Sequence, residues 1–110
     1  MNIVNLTPHQ VTVRTESGDR VFEPSGQVAR VAVTSVQTDE IDGIPVVSQT
    51  YGEIEGLPDP QPGVVYIVSM VVRQAAQAQG RTDVVSPDTS PQGAIRDEQG
   101  QIVAVRGFVR

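Results

Sequence analysis

"VVYIVSMVVRQAAQAQG", residues 64–80, is the stretch on which the fold turns. Val64 to Val68 is a continuous apolar run that follows the turn formers Pro62 and Gly63, so it predicts a short buried strand. From Val68 the period changes. Val68, Val71, Val72, Ala75 and Ala76 fall at i, i+3, i+4, i+7 and i+8, along one face of a helix. Ser69 is a residue type that caps a helix N-terminus with its hydroxyl, and Gly80 one that closes the C-terminus in a left-handed conformation. Arg73, Gln74 and Gln77 take the other side. The stretch predicts a strand leading into one helix at about 69–79.

Working outward, turn signals separate short strands. "LPDPQPG" (57–63) has three prolines in seven residues and is a stiff, extended connector. "RTDVV" (81–85) leads into "SPDTSPQG" (86–93), a loop rich in turn formers. In the N-terminal half, residues 2–5 form a short strand before Pro8. Residues 10–15 alternate as a half-buried strand, "ESGD" (16–19) turns the chain and residues 20–23 return. Residues 27–37 alternate again, "DEIDG" (39–43) is a hairpin tip, and residues 44–56 come back. Pro45 suggests an edge strand, and Gly52 a bulge or the close approach of another backbone. At the C-terminus, Ala94 to Arg96 enters a hairpin, "DEQG" (97–100) turns and Gln101 to Val109 returns. "RTESGDRV" and "RDEQGQIV" share Arg-x-Glu-x-Gly-x-x-Val, one turn solution used twice on unrelated flanking strands. These signals predict one domain over 1–110, of α+β class. Its sheet would be mainly antiparallel, with six or seven short strands and one helix.

Composition agrees with strands. The 110 residues include 20 valines but only two Phe, two Tyr and no Trp, a β-branched core with few large anchors. Cysteine is absent, which removes disulfides, thiolate nucleophiles and thiolate metal sites. With a single histidine, a zinc site would need carboxylates for most of its ligands, so neither metal nor cofactor is expected. All eight basic residues are arginine. Without lysine there is no Schiff-base chemistry and no phosphate-loop lysine. The arginines fit either a GC-rich genome or recognition of carboxylate or phosphate. A net charge of −5 gives nucleic acid or an anionic membrane no linear basic footprint. No apolar run approaches 18 residues and the start lacks the pattern of a signal peptide, so a cytoplasmic location is expected.

Candidate site residues begin with "NLTPHQV", residues 5–11, which holds the one histidine. Pro8 biases Thr7 toward an extended backbone and removes an N–H, so Thr-Pro-His is a shaped break between two strands. His9 there is either a turn residue or a presented hydrogen-bonding group. As a general base it needs an orienting partner, and Ser69, Ser86, Asp83 and Asp88 are the candidates by residue type. Ser69 lacks the flanking glycines of a nucleophile elbow and suits an N-cap. The helix start beside it can also bind an anion through free N–H groups. Two carboxylate groups, Asp39, Glu40 and Asp42 on a tip and Glu53 with Glu55 on a strand, suit acid–base or metal work as well as solvated edges. "GRTDVVSPDT" places Arg81, Asp83 and Asp88 close together, for ligand contact or for local pairing.

Taken together, "NLTPHQVTVR", "PSGQVARVAVTS", "IDGIPVVSQTYGEIEGLPDPQPGVVYIVS" and "RTDVVSPDTSPQGAIRDEQGQIVAVRGF" resemble a group of small bacteriophage and prophage proteins of actinobacterial type. The resemblance spans nearly the whole chain and carries no activity or catalytic residues with it. It implies a non-catalytic accessory protein that binds a host protein or a small anionic, nucleotide-like ligand, in the manner of factors that counteract host defence. Arg73, Arg81 and Arg96 would supply charge, with Thr7, His9 and Tyr51 as pocket groups. Two alternatives stand beside it: a small hydrolase or transferase using His9, and a minor virion or assembly protein. Apolar residues on both faces of the last strand, Ile102 and Phe108 opposite Val103 and Val105, call for a covering layer or a second subunit, and so for a homodimer.

Overall fold

The computed structural model describes all of Met1–Arg110. Ten strands and one helix follow in the order β1 (Asn2–Asn5), β2 (Val11–Thr15), β3 (Gly18–Phe22), β4 (Arg30–Ile41), β5 (Ile44–Glu55), β6 (Val64–Ile67), α1 (Met70–Ala78), β7 (Val84–Pro87), β8 (Ala94–Arg96), β9 (Ile102–Val105) and β10 (Phe108–Val109). They make two four-stranded sheets, β1-β6-β7-β10 and β3-β2-β9-β8, and a separate two-stranded ribbon, β4-β5. The class is α+β.

The 64–80 stretch behaves as its pattern predicts. β6 is the buried strand, and α1 follows with Ser69 as N-cap, its hydroxyl accepting the Val72 N–H at 3.3 Å. Gly80 sits at φ +87° beyond the last turn. The helix buries Val72, Ala75 and Ala76, whereas Val71, expected on the same face, lies at its edge and is 38% exposed. β6 is apolar throughout because it is covered on both faces. Tyr66 and Val68 point toward α1, in a core with Leu6, Ala29, Val72, Ala76 and Val84. Ile67 points the other way, into a second core with Val11, Val13, Val85 and Val105. The β1-β6-β7-β10 sheet is therefore the middle layer of three, with the helix on one side and the other sheet on the opposite side. Ile67, Val68 and Val84 are fully covered, each contributing roughly 1.5–3 kcal/mol.

The hairpin expectations hold where turn chemistry dictates them. Gly18 (φ +114°) and Gly100 (φ +80°) close the two similar tips, joining β2 to β3 and β8 to β9. Asp42 and Gly43, both at positive φ, close the β4–β5 tip. The ribbon has irregular register opposite Gly52, between Val31 and Val33, where a bulge was expected.

Three expectations are corrected. There are ten strands, not six or seven, because returning segments are broken. Gln101–Val109 is not one strand: β9 pairs in one sheet, then the chain crosses at Arg106–Gly107 and β10 pairs with β7 in the other. Antiparallel pairing predominates as expected, but both four-stranded sheets are mixed. β1–β6, β6–β7 and β2–β9 are parallel. Parallel partners lie far apart in sequence and are joined by no turn signal, so local patterns do not reveal them. Finally, the segment after the helix is a central strand. Val84 and Val85 continue through Ser86 and Pro87 as β7, so β6-α1-β7 is a β-α-β crossover.

Arg81 and Asp83 fasten the amino-terminal end of β7 within that crossover. The guanidinium meets both oxygens of Asp83 at 2.9 and 2.8 Å and also donates to the Pro58 carbonyl at 2.8 Å. It thus ties the proline-rich connector to the start of β7. The side chains are only 19% and 14% exposed. The hydrogen bonds from Arg81 hold the Asp83 carboxyl below its ordinary value. A folded-state pKa below the unfolded one stabilises at neutral pH, and that stabilisation is lost as pH falls through the folded value. Asp83→Asn should therefore cost about 1–3 kcal/mol at pH 7. In urea unfolding the gap to the parent chain should close progressively on acidification through the ordinary Asp range near 3.8 and below. A gap independent of pH would rule out the ion pair as its origin.

Candidate functional site

β1, β6 and β7 run parallel, so their carboxyl ends lie along one edge of the middle sheet. In open sheets of this kind the carboxyl edge is where loops and helix starts leave room for a ligand. A cleft of about 430 Å³ opens there. Its walls come from the 7–12 segment, the Val68–Met70 junction, the end of β7 with Thr89, and β9. Hydroxyl residues, Thr7, Thr12, Ser69, Ser86 and Thr89, line it together with apolar ones, Val11, Met70, Ile102 and Val103 among others. His9 lines the cleft and is exposed at its rim. No Arg, Asp or Glu lines it.

The stretch "NLTPHQV" is positioned by a residue that sequence reasoning passed over. Asn5 is 2% exposed. Its amide nitrogen donates to the His9 carbonyl at 2.8 Å and to the Phe22 carbonyl at 2.9 Å. Its oxygen accepts from the Thr7 backbone N–H at 2.9 Å and the Thr7 hydroxyl at 2.7 Å. The Thr7 hydroxyl is also 3.0 Å from the His9 carbonyl. Both amide protons and both lone-pair directions are thus used. The signal was present as Asn-x-Thr ahead of a proline, the composition of an Asx turn. The consequence is that the His9 backbone is fixed while its imidazole has no hydrogen-bond partner in the chain.

The structure brings Thr7, His9 and Ser69 to one cleft. Asp88 flanks it through the 88–93 loop. Hydrogen bonds from Ser90, side chain then backbone, hold the Asp88 carboxyl below its ordinary value, and its oxygen accepts the Ser90 N–H at 3.1 Å, a turn-shaping role. Arg73 stands behind the wall rather than in it. Its Nε donates at 2.8 Å to Ser86 Oγ, a buried hydroxyl of the cleft lining, and its terminal nitrogen to Gln77. The other candidates lie elsewhere. Arg81 and Asp83 fasten the opposite end of β7. Arg96 donates to the Gly100 carbonyl within its own hairpin. Tyr51 lies on the β4–β5 ribbon, with its hydroxyl 3.3 Å from Gln74 Oε1.

For chemistry, the arrangement supplies donors and shape. Ser69 Oγ is the helix cap and Ser86 Oγ is held by Arg73, and neither is hydrogen-bonded to His9. No buried side-chain polar atom lacks a partner, and no three carboxylate or imidazole groups converge as a metal site.

Asn5→Ala leaves the His9 and Phe22 carbonyls and the Thr7 donors without their partner. It should destabilise the fold by about 3 kcal/mol or more in chemical denaturation. Asn5→Asp, which keeps the acceptor but sets a buried carboxylate oxygen against the His9 and Phe22 carbonyls, should destabilise at least as much at neutral pH. A neutral outcome for both would show that the carboxamide does not set this turn.

No known protein family, curated protein or solved structure matches the chain.

Proposed function

We propose that this protein is a non-catalytic binding module, a phage or prophage accessory factor, whose cleft takes a small ligand with an anionic head and an apolar body. The observation that carries this reading is the mixed lining of the cleft, hydroxyl residues and one imidazole beside apolar side chains, at the start of α1. A nucleotide-like molecule would lay its apolar face on Val11, Ile102 and Val103. Its anionic group would meet the Ser69 and Ser86 hydroxyls, whose protons are free because both oxygens accept within the chain, together with His9 and the first N–H groups of α1. Ser69 caps Val72, which leaves the Met70 and Val71 N–H groups outside the helix ladder. The partial positive charge of a helix start favours an anion there. Arg73 contributes through Ser86: by donating into the oxygen it orients the hydroxyl as a donor toward the cleft.

This changes which arginines matter. The field for an anion comes from neutral donors and one imidazole, with Arg73 one step behind. Arg81 and Arg96 are committed to structural contacts. Such a site suits capture better than turnover, because it holds no poised nucleophile and base. Sequestering a small host signalling molecule is the accessory role that fits it.

The test is direct. Native mass spectrometry of the protein taken from cells, followed by calorimetric titration with a panel of mono- and dinucleotides, should give a defined adduct. His9→Ala should leave the melting temperature within about 1 °C, since the residue is exposed and its ring makes no hydrogen bond within the chain, and weaken binding by about tenfold. No adduct and no titration signal across the panel would refute the ligand. Turnover of a panel member lost in His9→Ala would establish the hydrolase or transferase reading instead.

A further inference from the structure

The β4–β5 ribbon is an arm with no cover. Each strand has twelve residues, about 40 Å when extended. Only Val31, Val46 and Ile54 along it are even half-buried, and the rest is exposed. Its base is anchored, with Val31 and Ile54 on the helix-side core. Gly56, just past the arm, has φ +80° and lies so close to the Val28 carbonyl that a Cβ would collide with it. Beyond the base, Val36, Ile41, Ile44 and Val47 are 54%, 62%, 65% and 50% exposed. A two-stranded ribbon alone is marginally stable in water, and apolar side chains at that exposure ask for a partner.

Three observations identify the partner as a second copy. The first is the edges: β5 carries Pro45, which cannot donate to a ladder, whereas β4 has no proline and its outer edge is open. The second is charge. The arm holds Arg30 against Asp39, Glu40, Asp42, Glu53 and Glu55, which concentrates four of the five net negative charges in it. Along β4 the signs are split, Arg30 at the base and Asp39–Glu40 at the tip, and Arg30 makes no ion pair within its own chain. An antiparallel pairing of two β4 edges sets each base against the other's tip, plus against minus. Following the register, Arg30, Val36, Asp39 and Ile41 share one face. The third is a receptor. A shallow groove of about 400 Å³ lies beside the base of β4, with Val28, Val31, Val71 and Pro8 in its walls and Arg30 as its one charged residue.

We propose that the chain forms a closed two-fold dimer, in which the β4 edges of two arms pair antiparallel and the Ile41–Ile44 tip of each arm seats in the groove beside Arg30 of the other copy. The interface is isologous, so every contact is made twice and the assembly stops at two.

Sedimentation equilibrium of the full chain up to about 0.1 mM tests this. The parent chain should be dimeric. Ile41→Glu with Ile44→Glu, at exposed positions where the fold is unaffected by circular dichroism, should weaken association by more than about tenfold. Arg30→Glu should weaken it as well, and Arg30→Glu combined with Asp39→Arg should restore it. A monomer at the highest concentration overturns the proposal. So does a dimer indifferent to the tip variant, a charge reversal without rescue, or open-ended association in place of a dimer.

Discussion

The Asn5 carboxamide ties the two sheets together. Its backbone belongs to β1 in the middle layer, and its side chain reaches the carbonyl of Phe22, the last residue of β3 in the outer layer. The same amide shapes Thr7 and His9. Its own carbonyl accepts the Ser25 N–H, and the Leu6 carbonyl accepts the Ala29 N–H, which lays the 24–29 segment along the outside of β1. A buried amide with all four bonds made is stable only in one geometry, because any slip leaves a desolvated polar group unpaired. That constraint fixes where β2 starts, where the cleft opens and how the base of the arm leaves the body.

The middle sheet converts the constraint into a three-layer body. Valine and alanine dominate both cores, so the layers approach through many small contacts. Two half-buried phenylalanines, Phe22 and Phe108, meet at 6.1 Å between ring centroids on the border of the outer-layer core. Apolar burial is concentrated in β6, β7 and α1, and the cleft sits where these three elements end or begin. The crossover and the turn fixed by Asn5 hold its lining in place, the preorganisation that a binding site needs.

Legibility followed the range of the interactions. Helix α1 was readable because cap, apolar face and terminal glycine all lie within a dozen residues. The tips at Gly18, Gly43 and Gly100 were readable because positive φ selects residue types locally. β7 was not, since "VVSP" ends in Ser and Pro, which locally signal a loop, and becomes a strand by pairing in parallel with β6 seventeen or more residues away. Among site residues, the turn at Pro8 and the cap at Ser69 were legible. The convergence of Thr7, His9 and Ser69 was not, and Arg81, Asp83 and Arg96 looked available only because their partners were unknown.

The sequence by itself determined the α+β class, the helix and its ends, the hairpin tips, and the absence of thiol and lysine chemistry, because each depends on residue type or on neighbours a few positions apart. Only the tertiary structure decided that three strands run parallel, that their carboxyl ends frame a cleft, that Asn5 rather than His9 organises "NLTPHQV", and that a hairpin of two 12-residue strands stands outside the body with most of its apolar side chains exposed. These depend on which distant segments share a face, and that is settled by the burial of whole strands and the satisfaction of buried polar groups, quantities no local window contains.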